Sequence, residues 1–117
     1  MKIVRSKQLT LEPAGHEDPN DPGVVKKVLF HLHDLARGDI QMVNWAVLYP
    51  NRSFSAHTHR TMQEVFIIVS GRVIASIDGQ DVLLEKGDAL VAEPGETHTM
   101  KNVTTRTARF IAIGIVS

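Results

Sequence analysis

Cysteine is absent from the 117-residue chain. That excludes disulfides and thiolate ligands, so any metal must sit on nitrogen and oxygen. A surplus of charge is also missing, because 13 basic and 13 acidic residues cancel. Proteins that hold nucleic acid or an anionic membrane rely on a clustered positive excess, and none is available here. No apolar run approaches the roughly 20 residues that cross a bilayer, and Met1–Leu11 lacks the apolar centre of a signal peptide. These absences predict a soluble, cytoplasmic protein without a nucleic-acid or membrane partner. Helical periodicity is lacking too, while turn signals recur about every eight to twelve residues, so the chain reads as an all-β sandwich or barrel around one core.

Taken in order, Met1–Val4 can form a short strand. Leu11–Gly23 is rich in proline, glycine and acids and is expected to be the most mobile segment, with His16, Glu17 and Asp18 in a solvated loop and without a role. Residues 1–23 are therefore read as an N-terminal strand and loop, and 24–117 as a single barrel domain. Val24–Leu32 reads as a strand, and His31 and His33 as partly exposed strand histidines. Ile40–Tyr49 is apolar on both alternation sets, with Val43, Trp45 and Val47 on one and Met42, Ala46 and Leu48 on the other. A strand apolar on both faces is covered on both faces, which places Trp45 in the core or an interface. Asp78-Gly79 signals a hairpin between Val73–Ile77 and Asp81–Leu84. Ala89–Ala92, the run containing His98, Met100 and Asn102, and Thr107–Val116 supply the remaining strands.

One stretch carries chemistry. His57 and His59 are separated by one residue, which on a strand turns both imidazoles to the same face. Glu64 opens the apolar run that follows, and alternation sends Glu64, Phe66 and Ile68 toward one side. A carboxylate thus arrives beside two imidazoles, and His98 is the candidate fourth member. Three imidazoles and one carboxylate suit one divalent transition ion, with Mn, Fe, Ni, Co, Cu and Zn all compatible, and leave positions open on an ion that prefers six ligands. Without a cation, burying such a cluster would leave polar groups hard to satisfy.

The same residues fall into two phrases that resemble the motifs of the cupin superfamily, specifically its small single-domain members. His57, His59, Glu64 and Gly71 match the first phrase, with Asn51 where a glycine is usual. Gly87, Gly95, His98 and Asn102 match the second, with Glu93 at the proline position and Pro94 one residue later. The phrases span residues 51–102. The resemblance implies a double-stranded β-helix, or jelly-roll barrel, with His57, His59, Glu64 and His98 as metal ligands, and a homodimer in which N-terminal strands pack on the partner.

Such folds host many activities, so fold alone selects none. The expected function is metal-dependent chemistry on a small oxygen-rich organic substrate, a carboxylate, enol or sugar derivative, bound through open metal positions. The reaction would be that of a dioxygenase, decarboxylase, isomerase or lyase. The alternative is a non-catalytic metal or small-ligand binding module. No general acid or base is assigned; Tyr49, Arg52 and Glu93 read as ordinary surface or turn residues, and Met100, Phe66 and Phe110 as barrel core.

Overall fold

In a computed structural model, residues 4–31 and 39–116 are described. Among the described residues nine strands follow one another: β1 (Glu12–Pro13), β2 (Val24–His31), β3 (Ile40–Leu48), β4 (Met62–Ser70), β5 (Arg72–Ile77), β6 (Gln80–Glu85), β7 (Ala89–Ala92), β8 (His98–Lys101) and β9 (Ala108–Val116). No α-helix occurs among the described residues, and none there is long and apolar enough to cross a membrane. Two antiparallel sheets form a jelly-roll barrel, the larger ordered β1-β2-β3-β9-β4-β7 and the smaller β6-β5-β8. Sequence alternation decides which side chains enter it. Ala46 and Leu48 of β3, Phe66 and Ile68 of β4, and Ala108, Phe110 and Ala112 of β9 point inward and meet Val73, Ala75 and Met100 of the smaller sheet.

The opposite faces of the same central strands are apolar as well. Trp45 pairs with Ile111, which pairs with Ile67; Val43 pairs with Ile113, which pairs with Val65. These six side chains form two rows on the outer face and are only partly buried.

Turn chemistry sets the strand spacing. Gly71 joins β4 to β5 at φ 82°, and a β-carbon there would stand 2.8 Å from the Ala108 α-carbon, so both the backbone and the space demand glycine. Asn51, in place of the usual motif glycine, adopts φ 58°, a left-handed conformation that asparagine tolerates. Asn102 is a strut: its buried amide donates to the Leu48 and Arg106 carbonyls and accepts from the Thr104 N–H and hydroxyl.

The N-terminal segment departs from expectation. Met1–Ile3 lie outside the described residues, as does His33, and Val4 is not in a strand. Glu12 and Pro13 instead pair with Lys26 and Val25 at the edge of the larger sheet, an edge position that proline tolerates because it needs no ladder donor. The following loop, read as freely solvated, is tied to the barrel. The Glu17 carboxylate accepts from the Gly23 and Ser55 N–H groups, and Asp21 pairs with Arg52.

Candidate metal centre

Strands β4 and β8 and the segment that precedes β4 bring the four chemistry-bearing side chains together. Glu64 stands on the inward face of β4 and His98 begins β8, both buried. His57 precedes β4 and reaches the site through the backbone: its N–H donates to the His98 carbonyl at 3.1 Å, and the His98 N–H donates back at 2.9 Å. His59 follows at the rim, and its carbonyl accepts from the Gly95 N–H at 2.8 Å. The Pro94-Gly95 turn thus anchors one histidine while leading into another.

One donor atom from each of His57, His59, Glu64 and His98 lies within 4.8 Å of the others, so the four could hold a metal ion. Glu64 Oε1 is the hub, at 2.5 Å from His59 Nε2, 3.4 Å from His98 Nε2 and 3.7 Å from His57 Nε2. The far sides of two rings are fixed by carbonyls. His57 Nδ1 lies 2.8 Å from the Ser55 carbonyl, and His98 Nδ1 lies 3.2 Å from the Glu96 carbonyl. A carbonyl only accepts, so each Nδ1 carries the hydrogen, and in the neutral ring Nε2 turns its lone pair toward Glu64. Nε2 of His59 and of His98 are buried, and neither makes a well-aligned hydrogen bond although each lies close to the Glu64 carboxylate. Lone pairs converging on a carboxylate oxygen require a cation or a proton between them, and the donor set fits a divalent transition ion.

The electrostatics agree. Burial alone would push the Glu64 carboxyl up, but the imidazoles of His57, His98 and His59 outweigh it and hold the group well below the usual carboxylate range. Burial would lower His57; the Glu64 carboxylate and the Ser55 carbonyl outweigh it and raise its pKa above the ordinary histidine value.

A cavity of about 330 Å³ opens beside the cluster, its walls mainly apolar and including Met42, Ala46, Met62, Phe66 and Phe110. Phe66 and Phe110 therefore serve both as barrel core and as cavity wall. Three lining residues carry polar groups that the sequence did not single out. His16 stacks on His57 with ring centroids 4.0 Å apart, and burial followed by the neighbouring His57 lowers its pKa. Asn44 and Lys26 line the cavity from β3 and β2. His16 was set aside because nothing in its loop predicts a long-range contact. Asn44 carried a usable signal, as a polar residue in phase with Met42, Ala46 and Leu48.

Comparison with known proteins fits this architecture. The chain is similar to an oxalate-binding protein of Thermotoga maritima, 29% identical over 117 residues, which covers 97% of this chain and 93% of that protein. Among solved structures it is similar to a predicted oxalate decarboxylase from Thermotoga maritima, with a TM-score of 0.84 at 24% identity over 99% of this chain and 100% of the other. A sugar phosphate isomerase from a cupin superfamily, from Silicibacter pomeroyi, gives a TM-score of 0.81 at 19% identity, covering 99% of this chain and 76% of that one. At these identities the structural likeness concerns the fold. The family model for the cupin domain matches residues 44–114, and with the barrel and both motif phrases in place, the chain belongs to the cupin family.

Proposed function

We propose that His57, His59, Glu64 and His98 hold one divalent transition ion, and that the protein acts on a small oxygen-rich organic acid or enol bound to that ion beside the cavity. The observation that carries this reading is the convergence of three imidazole Nε2 atoms on one carboxylate oxygen, two of them buried and without a well-aligned hydrogen bond. When bound, the ion would act as a Lewis acid or as the centre of oxygen chemistry. The chain's own contribution is to fix the imidazole tautomers through the Ser55 and Glu96 carbonyls and to exclude water with the cavity's apolar walls. The oxalate-binding relative supports a carboxylate as the chelating group, and oxalate is the first ligand to test.

The test is a metal analysis of purified protein followed by a ligand and substrate screen with Fe(II) or Mn(II), under air and under nitrogen. About one ion per chain and product formation support a metal-dependent enzyme, with oxygen consumption separating a dioxygenase from a decarboxylase, isomerase or lyase. Binding without product identifies a non-catalytic module. Full metal retention by the His57→Ala, His98→Ala double variant refutes the ligand set. The two apolar rows around Trp45 and Ile111 support a homodimer that covers them.

A further inference from the structure

We infer that the ligand is bipolar: one end chelates the ion, a hydrocarbon segment lies along the apolar walls, and a second carboxylate is held at the far end by Asn44 and Lys26. This rests on the proposed chelate reading and names the substrate class within it. Three observations carry it.

The first is Asn44 itself. It is 5% exposed, lines the cavity, and its Oδ1 is buried without a hydrogen-bond partner. The other end of the amide reaches only the Met42 sulfur, at 3.2 Å, which is a weak acceptor. Turning the amide over exchanges oxygen for NH2, so the side chain can offer a ligand carboxylate a donor in either orientation of its two ends. Buried polar groups are otherwise paired, and an unpaired amide on a residue that lines the cavity has hydrogen-bonding capacity to spare for a ligand.

The second observation is Lys26, which lines the same cavity and whose ammonium has no ion pair or hydrogen bond among the described residues. In register, Lys26 faces Ala46 on β3, the next inward position after Asn44. Lys26 and Asn44 are therefore diagonal neighbours on the inward face of the larger sheet, and a cation with an amide suits a carboxylate.

The third is distance. Glu64 pairs with Gly114, and Gly114 pairs with Met42, so Asn44 stands two strands and two residues from the metal cluster. At the usual strand spacing and rise the two backbones are about 12 Å apart. Subtracting one coordination bond of about 2 Å and one hydrogen bond of about 3 Å leaves roughly 7 Å between the ligand's terminal oxygens. Oxalate is too short to reach both poles; a diacid of about four to six carbons does so. The apolar walls between the poles favour a hydrocarbon spacer over a polyhydroxylated one.

The test is calorimetric titration of the Ni(II)-loaded protein with oxalate, succinate, glutarate and adipate, and with monocarboxylates of matched length. The inference expects one of the longer diacids to bind at least about tenfold more tightly than its matched monocarboxylate. Asn44→Leu and Lys26→Met should each remove most of that preference and leave oxalate affinity unchanged. Thermal melts separate recognition from architecture: Asn44→Leu should melt at the wild-type temperature or above, because it removes a buried orphan without opening a void. Equal binding of diacids and monoacids, or a length preference surviving in Asn44→Leu, overturns the inference while oxalate binding leaves the chelate reading intact. Absence of binding by every acid, oxalate included, overturns both.

Discussion

Replacing His98 by alanine should abolish most of the stabilisation that a metal ion gives the fold, and the size of the loss can be worked out. An ion that binds the native state alone, at 100 times its dissociation constant, stabilises it by about 2.7 kcal/mol. For 117 residues, an unfolding entropy of about 2.1 cal/mol/K per residue converts this to a rise in Tm of about 11 °C. His98 is one of four donors, 3% exposed, with its tautomer held by the Glu96 carbonyl. Removing it should weaken binding at least about 100-fold, since even the loss of an outer partner of a ligand costs 10- to 100-fold. At the same Ni(II) concentration the stabilisation then falls to about 0.4 kcal/mol, and the shift to less than about 2 °C. The readout is the metal-induced change in Tm, because truncating a buried ring also alters the metal-free protein. A His98→Ala variant that keeps an 11 °C shift would refute the four-donor cage.

Metal affinity should fall as pH drops through the raised pKa of His57, because protonated imidazole does not ligate, so release begins above the ordinary histidine value of about 6.5. Glu64, held low, stays ionised there; equilibrium dialysis showing undiminished binding at pH 5 would contradict this. Without metal the two groups act on stability in opposite senses. The raised His57 stabilises the fold below about pH 6.5 and the lowered Glu64 stabilises it above about pH 4.5, so urea titrations of the metal-free protein should show their joint contribution greatest between those values. Gly71→Ala combines a left-handed backbone with a β-carbon 2.8 Å from Ala108 and should cost about 2–4 kcal/mol in denaturant unfolding. Gly79→Ala, with the same sign of φ and open space around it, should cost about 1–2 kcal/mol; equal losses would dismiss the contact with Ala108. Sedimentation should give twice the 13.0 kDa chain mass, and Trp45→Glu should return it to one chain.

Local rules made the barrel and the clustering of His57, His59, Glu64 and His98 legible. Alternation put Glu64, Phe66 and Ile68 on one inward face, where all three are buried, and motif spacing joined His98 to a pair of histidines far from it in sequence. The spacing of His57 and His59 implies a strand, whereas neither lies in one: His57 forms an isolated bridge with His98 and His59 makes a single backbone bond to Gly95. The loop was illegible for a physical reason. Glu17 is fixed by backbone N–H groups of Gly23 and Ser55, and main-chain donors leave no trace in residue identity. Asn44 was overlooked because its neighbours in phase are apolar, and a burial pattern averages over one polar member. The pairing of β9 between β3 and β4 is set by long-range register, which no short window of sequence carries.

The reciprocal bonds between the His57 and His98 backbones bear on when an ion arrives. Two of the four proposed donors are brought together by main-chain pairing, so that half of the cluster assembles as the barrel closes and does not depend on an ion to gather it. The cluster's nitrogen and oxygen donors are compatible with ions from Mn(II) to Zn(II), so the ion that such a cage would hold depends on what surrounds the chain as it folds as well as on the cage's geometry. Folding the same polypeptide in Mn(II)-rich and in Cu(II)-containing medium would yield differently loaded molecules from one sequence.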